Sequence, residues 1–357
     1  MIPMIQDISS LPTLDELKKE LRIPEVNTGR VSNYRGIVSD DYEGLHAIGD
    51  QNGYLRLQSG VEMPSFMYRG QPEEYLPCLP TLGRLKDVES QLLAVCRNIA
   101  FEDAISDHPF VRITENTDFL GQPLYVDKQG LAQHYGLATD MIDLTSNFDV
   151  ASFFAVCRLD EQENCYIPVK DTGKPGVIYR IIPFVLSSRA WAEEREAPFS
   201  FVGWQPLPRP EQQRACGVKL QNGEDFLRLP SVQKRYFRHN ADVAERIWNA
   251  FGQGAALFPD DAAAALATQA RCLGSFTRTQ VERAWANLES WLGHAIAGHE
   301  RTQAENGAAL AIVDTPVLCW DGLAIEHDEA RLKGQLNEVL TRVRFRKMIY
   351  PNQGGQR

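Results

Sequence analysis

The first seventy residues change from a helical to a strand-like pattern. Residues 13–21 begin with the form of a capping box and continue with leucines at helical spacing. Residues 61–72 then alternate as in a strand, and the run stops at Gly70. We therefore predict that residues 1–60 are an N-terminal helical lead-in to a domain that begins at residue 61.

The middle of the chain contains segments with helical periodicity and segments with strand periodicity. One broad apolar face predicts a helix over residues 88–104. A short helix should end at Gly136 as its C-cap, residues 138–144 form a short strand or loop, and residues 145–147 cap a further helix. Residues 176–183 are rich in β-branched and aromatic side chains, which predicts a strand.

The pattern becomes helical after residue 229, following a proline-rich stretch at 198–217 that we predict to be irregular. The predicted C-terminal helices cover residues 241–251, 260–273, 277–296 and 328–349. We therefore predict an α+β fold with three parts. A mixed or antiparallel β core with flanking helices occupies residues 61–229, and a helical C-terminal domain occupies residues 230–350.

Composition narrows the class of protein. Hydrophobic residues make up 43% and charged residues 24% of the 357 positions, as in globular proteins, and the net charge of -10 disfavours a general nucleic-acid binder. Seven cysteines without a Cys-x-x-Cys pair are typical of a reducing compartment. Because no signal peptide or long apolar stretch is present, we expect a cytoplasmic protein with no membrane contact.

Several common catalytic motifs are absent from the sequence. The chain has no His-Glu-x-x-His, no phosphate-binding Gly-x-x-x-x-Gly-Lys-Ser/Thr, no Gly-x-Gly-x-x-Gly after a strand and no Gly-x-Ser-x-Gly. His294 and His299 are five residues apart on a predicted helix, so they point to different faces. We therefore expect no metal site.

Four short motifs follow one another in the predicted β core. They are Tyr68-Arg69-Gly70-Gln71, Leu79-Pro80-Thr81-Leu82-Gly83-Arg84, Gln133-His134-Tyr135-Gly136-Leu137 with Asp143-Leu144-Thr145, and Ala151-Ser152-Phe153-Phe154-Ala155. In this order they resemble the FRG domain, a bacterial family named for its Phe/Tyr-Arg-Gly signature. The resemblance covers roughly residues 60–220.

A second resemblance is to the arginine-type ADP-ribosyltransferases, at the level of the fold. In those enzymes a strand-borne arginine holds the phosphate-bearing part of NAD. Arg69 would be this first element, Thr145 and Ser146 the second, and one of Glu211, Gln212 and Gln213 the third, with Gln213 or Glu211 preferred. The resemblance implies an ADP-ribosyltransferase-like β core and NAD as the substrate.

The resemblance also implies roles for individual side chains. Arg69 would grip the pyrophosphate bidentately, because a guanidinium stays charged and presents a planar fork. Gln213 or Glu211 would orient the ribose, while aromatic rings such as those of Tyr68 and Tyr135 would stack on nicotinamide or adenine. The implied catalytic residues are therefore Arg69, Gln213 and Glu211, and the implied NAD-binding residues are Arg69, Tyr68, Gly70, Thr145, Ser146 and Tyr135.

Each of these residues also has a structural interpretation. Gly70 is typical of a turn, and Thr145 and Ser146 are typical helix caps. His134, at a helix end, is more typical of a hydrogen-bonded core histidine than of a base. Arg69 would then anchor a loop through backbone carbonyls.

The sequence is compatible with two functions. The first is an NAD-consuming, ADP-ribosyltransferase-like enzyme, a bacterial toxin or anti-phage defence effector whose acceptor is a protein, a nucleic acid or water. The second is a non-catalytic module in which Arg69, Arg84 and the aromatic rings recognise an anionic ligand. In this second reading the helical C-terminal domain contacts a partner protein.

Overall fold

The computed structural model describes residues 8–21, 44–49, 52–59, 64–160, 162–163, 165–170, 173–192, 198–320 and 329–344. Its strands are β1 (Leu45–Gly49), β2 (Leu55–Ser59), β3 (Met67–Gln71), β4 (Asp118–Phe119), β5 (Gln122–Pro123), β6 (Met141–Thr145), β7 (Cys157–Asp160), β8 (Cys165–Pro168), β9 (Gly176–Ile181), β10 (Phe199–Phe201), β11 (Ala215–Lys219), β12 (Gln233–Phe237), β13 (Ser275–Thr277), β14 (Ala311–Val313) and β15 (Val343–Arg344).

The α-helices are α1 (Leu14–Glu20), α2 (Val88–Ser106), α3 (Pro109–Glu115), α4 (Lys128–His134), α5 (Phe148–Val156), α6 (Pro183–Ala192), α7 (Pro208–Gln212), α8 (Ala241–Ala250), α9 (Ala262–Cys272), α10 (Arg278–Leu292), α11 (Gly298–Gly307) and α12 (Glu329–Thr341). Short 3₁₀ turns lie at Ile8–Ser10, Leu82–Arg84, Phe226–Arg228 and Gly252–Gly254. The α+β class predicted from the sequence is confirmed.

The centre of the fold is a six-stranded sheet in the order β10-β11-β6-β3-β9-β12, and each pair in it is antiparallel. Strand β3 pairs with β9 along its whole length but meets β6 only through Tyr68 and Thr145. The two central strands therefore separate beyond this pair, next to Arg69.

Alternation along β3 sends successive side chains into two different cores. Met67 packs with Tyr179 and Val218 on one face of the sheet. Tyr68 packs on the other face with α5 and α8, which cover the sheet there. Gly70 lies within this strand and does not form a turn, contrary to the structural interpretation of the sequence.

Gly70 is required by the closeness of α5 to the strand. A Cβ atom at this position would lie 1.8 Å from the carbonyl oxygen of Ala151 and 2.8 Å from the backbone nitrogen of Ala155. The Tyr-Arg-Gly motif and the Ala151–Ala155 motif are thus two sides of one strand–helix contact.

The chain beyond residue 230 differs from the predicted helical domain. Strand β12 completes the central sheet by pairing with β9, and β13, β14 and β15 also lie in this part of the chain. Helices α9 and α10 share one apolar core with α2, through residues such as Leu92, Leu266 and Trp285. The core is continuous because the amphipathic faces of these helices are buried against the sheet-bearing part of the chain.

The N-terminal region also differs in part from its prediction. The capping box of α1 is present, with the Thr13 hydroxyl accepting from the Glu16 backbone and the Glu16 carboxylate accepting from the Thr13 backbone. However, β1 and β2 form a hairpin inside the predicted helical lead-in, and β15 extends it in parallel. The apolar face of β2, with Leu55 and Leu57 buried, favours a strand over a helix.

The stretch at 198–217 is ordered, where the sequence predicted irregular structure. It contains β10, α7 and the first residues of β11. Pro208 occupies the first turn of α7, where a missing backbone N–H costs nothing. No helix within the described residues is both long and apolar enough to cross a membrane.

Candidate functional site

A cavity of about 240 Å³ lies where β3 and β6 separate under α5. Its lining residues come from β3, α4, β6, α5, β8 and the turn after α7: Tyr68, Arg69, Gly70, His134, Asp143, Leu144, Thr145, Val150, Ala151, Phe154, Tyr166 and Gln213. The cavity therefore brings together side chains from motifs that are far apart in the sequence.

Arg69 is held by the backbone of the neighbouring strand. Its Nη1 donates to the carbonyl oxygen of Asp143 at 2.9 Å, and its buried Nε has no hydrogen-bond partner among the described residues. The Arg84 guanidinium is close: burial lowers the pKa of Arg84, and the charge of Arg69 lowers it further. The Asp143 carboxylate acts on the pKa of Arg84 in the opposite direction, so two positive groups and one negative group meet here.

Gln213 determines which nitrogen of His134 carries a hydrogen. The Gln213 Nε2 donates to the carbonyl oxygen of Leu257 at 3.0 Å, so its Oε1 must be the atom that lies 2.8 Å from His134 Nδ1. Because Oε1 is an acceptor only, Nδ1 carries the hydrogen. In the neutral imidazole the lone pair is therefore on Nε2, which is buried and has no hydrogen-bond partner within the described residues.

Asp143 supplies a second acceptor beside this nitrogen. Its Oδ2 accepts from Gln133 Nε2 at 2.8 Å, while its Oδ1 is buried without a hydrogen-bond partner among the described residues. Oδ1 lies 3.9 Å from His134 Nε2. A neutral imidazole with its hydrogen on Nδ1 offers no hydrogen to Oδ1, whereas a protonated one can donate towards it from Nε2.

Aromatic rings form another part of the lining. Tyr68 meets Phe148 edge to face with 5.4 Å between ring centroids, and Tyr166 stacks on Phe258 at 4.8 Å. Burial raises the pKa of Tyr166 to about 12, so its hydroxyl keeps its hydrogen at neutral pH. The rings give the cavity an apolar surface beside its polar groups.

Thr145 has a structural role that the sequence predicted only in part. Its Oγ1 donates to the Gln213 carbonyl oxygen at 2.7 Å and accepts from the Asn147 backbone at 3.1 Å. This ties the end of β6 to the segment that carries Gln213. The side chain that caps α5 is Asn147, and Ser146 is not among the residues that line the cavity.

Glu211 and Tyr135 lie outside the lining of the cavity. The Glu211 carboxylate contacts the Arg342 guanidinium and is 3.8 Å from Arg214 Nη1. Since Glu211 and Gln213 are two residues apart on a helical turn, they point to different sides. Tyr135 is buried, and its hydroxyl donates to Asp261 Oδ2 at 2.7 Å.

The sequence favoured a core histidine at position 134, named Asp143 only as part of a motif, and did not single out Tyr166. The order Gln133-His134-Tyr135 followed by Asp143 marked the region as a motif, but nothing in it showed that Gln213 contacts His134. The described residues also contain no group of three or more His, Cys, Asp and Glu side chains that could hold a metal ion.

Comparison with known families is informative for one part of the chain. No curated protein matches the sequence. No solved structure matches it either. The model of the FRG domain matches residues 64–164, a range that includes Arg69, His134 and Asp143 and ends before Tyr166 and Gln213. This match supports assigning residues 64–164 to the FRG-domain family.

Proposed function

We propose that the cavity is the active site of an NAD-consuming enzyme, which cleaves the nicotinamide–ribose bond and transfers ADP-ribose to an acceptor. One observation carries the proposal. Arg69, His134 and Asp143 border the same cavity, and each has a buried polar atom without a hydrogen-bond partner in the part of the chain that the structure describes. One positive group and two acceptors match a phosphate joined to a sugar with free hydroxyls.

Arg69 would bind the pyrophosphate. Its Nη1 donates to the Asp143 carbonyl, which fixes the plane of the guanidinium at the edge of the cavity. The nearby charge of Arg84 adds to the attraction for phosphate oxygens. A planar fork of this kind matches phosphate geometry better than the point charge of a lysine does.

Asp143 would act at the ribose. When the bond between C1′ and the nicotinamide nitrogen breaks, its electron pair leaves with nicotinamide and positive charge develops on the ribose ring. A carboxylate close to that charge stabilises the transition state, as in glycoside hydrolysis. In this proposal Asp143 replaces Glu211, whose carboxylate is already paired with Arg342.

His134 would complete the reaction as a base. The acceptor, a hydroxyl or amine of a protein or nucleic acid or a water molecule, bonds to C1′ and loses a proton to Nε2. The hydrogen bond from Nδ1 to Gln213 keeps the lone pair on Nε2 and orients the ring. Gln213 is thus a positioning residue in this proposal, since its own polar atoms are bonded to protein groups.

Purified protein incubated with NAD should release nicotinamide, measured by chromatography, with and without candidate acceptor proteins and nucleic acids. We expect Asp143→Asn to lower the rate on the order of 10²-fold or more, because the charge acts in the transition state. Asp118→Asn, at an exposed aspartate of β4, is the matched control and should keep the wild-type rate.

No nicotinamide release under any of these conditions would overturn the enzymatic proposal. Equal rates for wild type and Asp143→Asn would remove this carboxylate from the mechanism.

Gln213→Ala should lower the rate of nicotinamide release by roughly 10²-fold with little change in KM, because a misoriented base affects the chemical step. Glu211→Ala and Gln212→Ala, at the two preceding positions, are the controls, because neither side chain lines the cavity. If Gln213→Ala keeps its rate while Glu211→Ala loses it, the third motif acts through the glutamate instead.

The second candidate function is a module that binds an anionic ligand without turnover. Both polar ends of Gln213 are already bonded within the protein, so the third motif has no free group for a ribose hydroxyl. Calorimetry with ADP-ribose and NAD distinguishes the two functions. Binding that requires Arg69, without nicotinamide release, would favour the module.

A further inference from the structure

A second and larger cavity, of about 570 Å³, shares no lining residue with the first. It lies between α2, the start of α4 and α10. Its volume falls within the range of small-molecule sites, on the order of 300–1,000 Å³. The charged and amide side chains in its lining are Asn98, Glu102, Glu115, Lys128, Gln129, Asp140, Lys219, Gln221 and Asn287.

Asn98 offers a buried acceptor at this cavity. The residue is only 8% exposed. Its Nδ2 donates to the carbonyl oxygen of Ala138 at 2.6 Å, which fixes the orientation of the amide. Oδ1 is therefore the remaining atom, and it is buried with no hydrogen-bond partner among the described residues. A buried acceptor of this kind is costly unless a donor reaches it.

Glu102 stands one helical turn further along α2 and so lies on the same face as Asn98. Burial raises the pKa of Glu102 to about 7. Among the described residues its carboxylate has no hydrogen bond or ion pair, because the nearby Arg283 is bonded to Asp103 at 2.6 Å. Within the described residues, Asn98 Oδ1 and the neighbouring Glu102 carboxylate thus both lack a hydrogen-bond donor.

The other charges of the lining are already balanced. Lys128 Nζ pairs with Glu115 at 2.9 Å. Asp140 Oδ1 accepts from Gln129 at 2.7 Å, and the nearby charge of Lys219 opposes the effect of burial, which raises the pKa of Asp140. Glu102 therefore remains the carboxylate of this lining that a bound cation would compensate.

We propose that this cavity binds a small organic cation through an ammonium group, which donates to Asn98 Oδ1 and to the Glu102 carboxylate. An ammonium carries several donors and no acceptor, so it satisfies both atoms at once. The charge of the ligand also compensates the half-buried carboxylate, which a neutral hydroxyl cannot do.

The test is calorimetric titration of the full chain with putrescine, and with 1,4-butanediol as a neutral compound of similar length. We expect putrescine to bind and the diol not to bind. Glu102→Gln keeps the shape of the side chain and should weaken putrescine at least tenfold. Glu245→Gln, on the exposed face of α8, is the matched control and should bind like wild type.

A second variant keeps the test informative if Glu102→Gln folds poorly. Ser290 is exposed and lines the cavity, so Ser290→Lys brings a positive charge to its rim and should also weaken putrescine. The proposal is overturned if putrescine gives no heat with wild type, if the diol binds as tightly, or if folded Glu102→Gln or Ser290→Lys binds putrescine like wild type.

Discussion

Gly70→Ala is expected to lower the free energy of unfolding by about 3 kcal/mol or more, enough to prevent folding in a protein of ordinary stability. The new Cβ would lie 1.8 Å from the Ala151 carbonyl oxygen and 2.8 Å from the Ala155 nitrogen. Both atoms are backbone, so no side-chain rotation relieves the overlap. Helix α5 has to move away from β3, which also deforms the cavity between them.

Chemical denaturation followed by circular dichroism measures this effect. Gly83→Ala is the matched control, because its Cβ would lie 3.4 Å from the nearest atoms, the Pro80 ring carbons. We expect its change in unfolding free energy to stay within about 1 kcal/mol. If Gly70→Ala is as stable as Gly83→Ala, the distance between α5 and β3 must be larger than in the structure.

Arg69→Lys is expected to lower kcat/KM for nicotinamide release by roughly 10²-fold while the protein stays folded. Hydrogen bonds to charged groups contribute about 1.5–3 kcal/mol each. A lysine ammonium can donate to two acceptors, but all its donors radiate from one nitrogen, so it cannot present the planar fork of a guanidinium to a phosphate while it donates to the Asp143 carbonyl. The positive charge is retained, so the variant tests only the loss of the planar arrangement of N–H donors.

Arg228→Lys serves as the control, because Arg228 is exposed and lies away from the cavity lining. Thermal unfolding of both variants separates the two roles that the sequence left open. A melting temperature far below that of wild type would make Arg69 a structural anchor. An unchanged kcat/KM in a folded variant would remove Arg69 from anion binding.

Part of the secondary structure followed from local pattern. The capping box at Thr13, the long helix α2 and the strand β9 are where the sequence predicted them. The ordered motifs also pointed to the FRG family, which the match over residues 64–164 supports. These features were readable because each depends on neighbours within a few residues, where periodicity and capping chemistry act.

The packing of the segments against one another explains the role of Gly70 and the extent of the central sheet, which local pattern does not. Gly70 looked like the end of a strand, yet α5 crossing it is what excludes a side chain there. The boundary predicted near residue 230 was based on a change in composition. The sheet nevertheless takes β12 from beyond it, since strand pairing across the chain leaves no local signature.

In the candidate site too, some features could be predicted from the sequence and others only became visible in the fold. From the sequence alone it could be seen that Arg69 and Asp143 belong to distinctive motifs and that Gln213 is one of three neighbouring polar residues. Only the fold brought Gln213 to His134 and turned Glu211 towards Arg342. The physical reason is that hydrogen bonds and ion pairs between distant segments depend on how the segments pack. Residue type and spacing within one segment report only which face of it is buried.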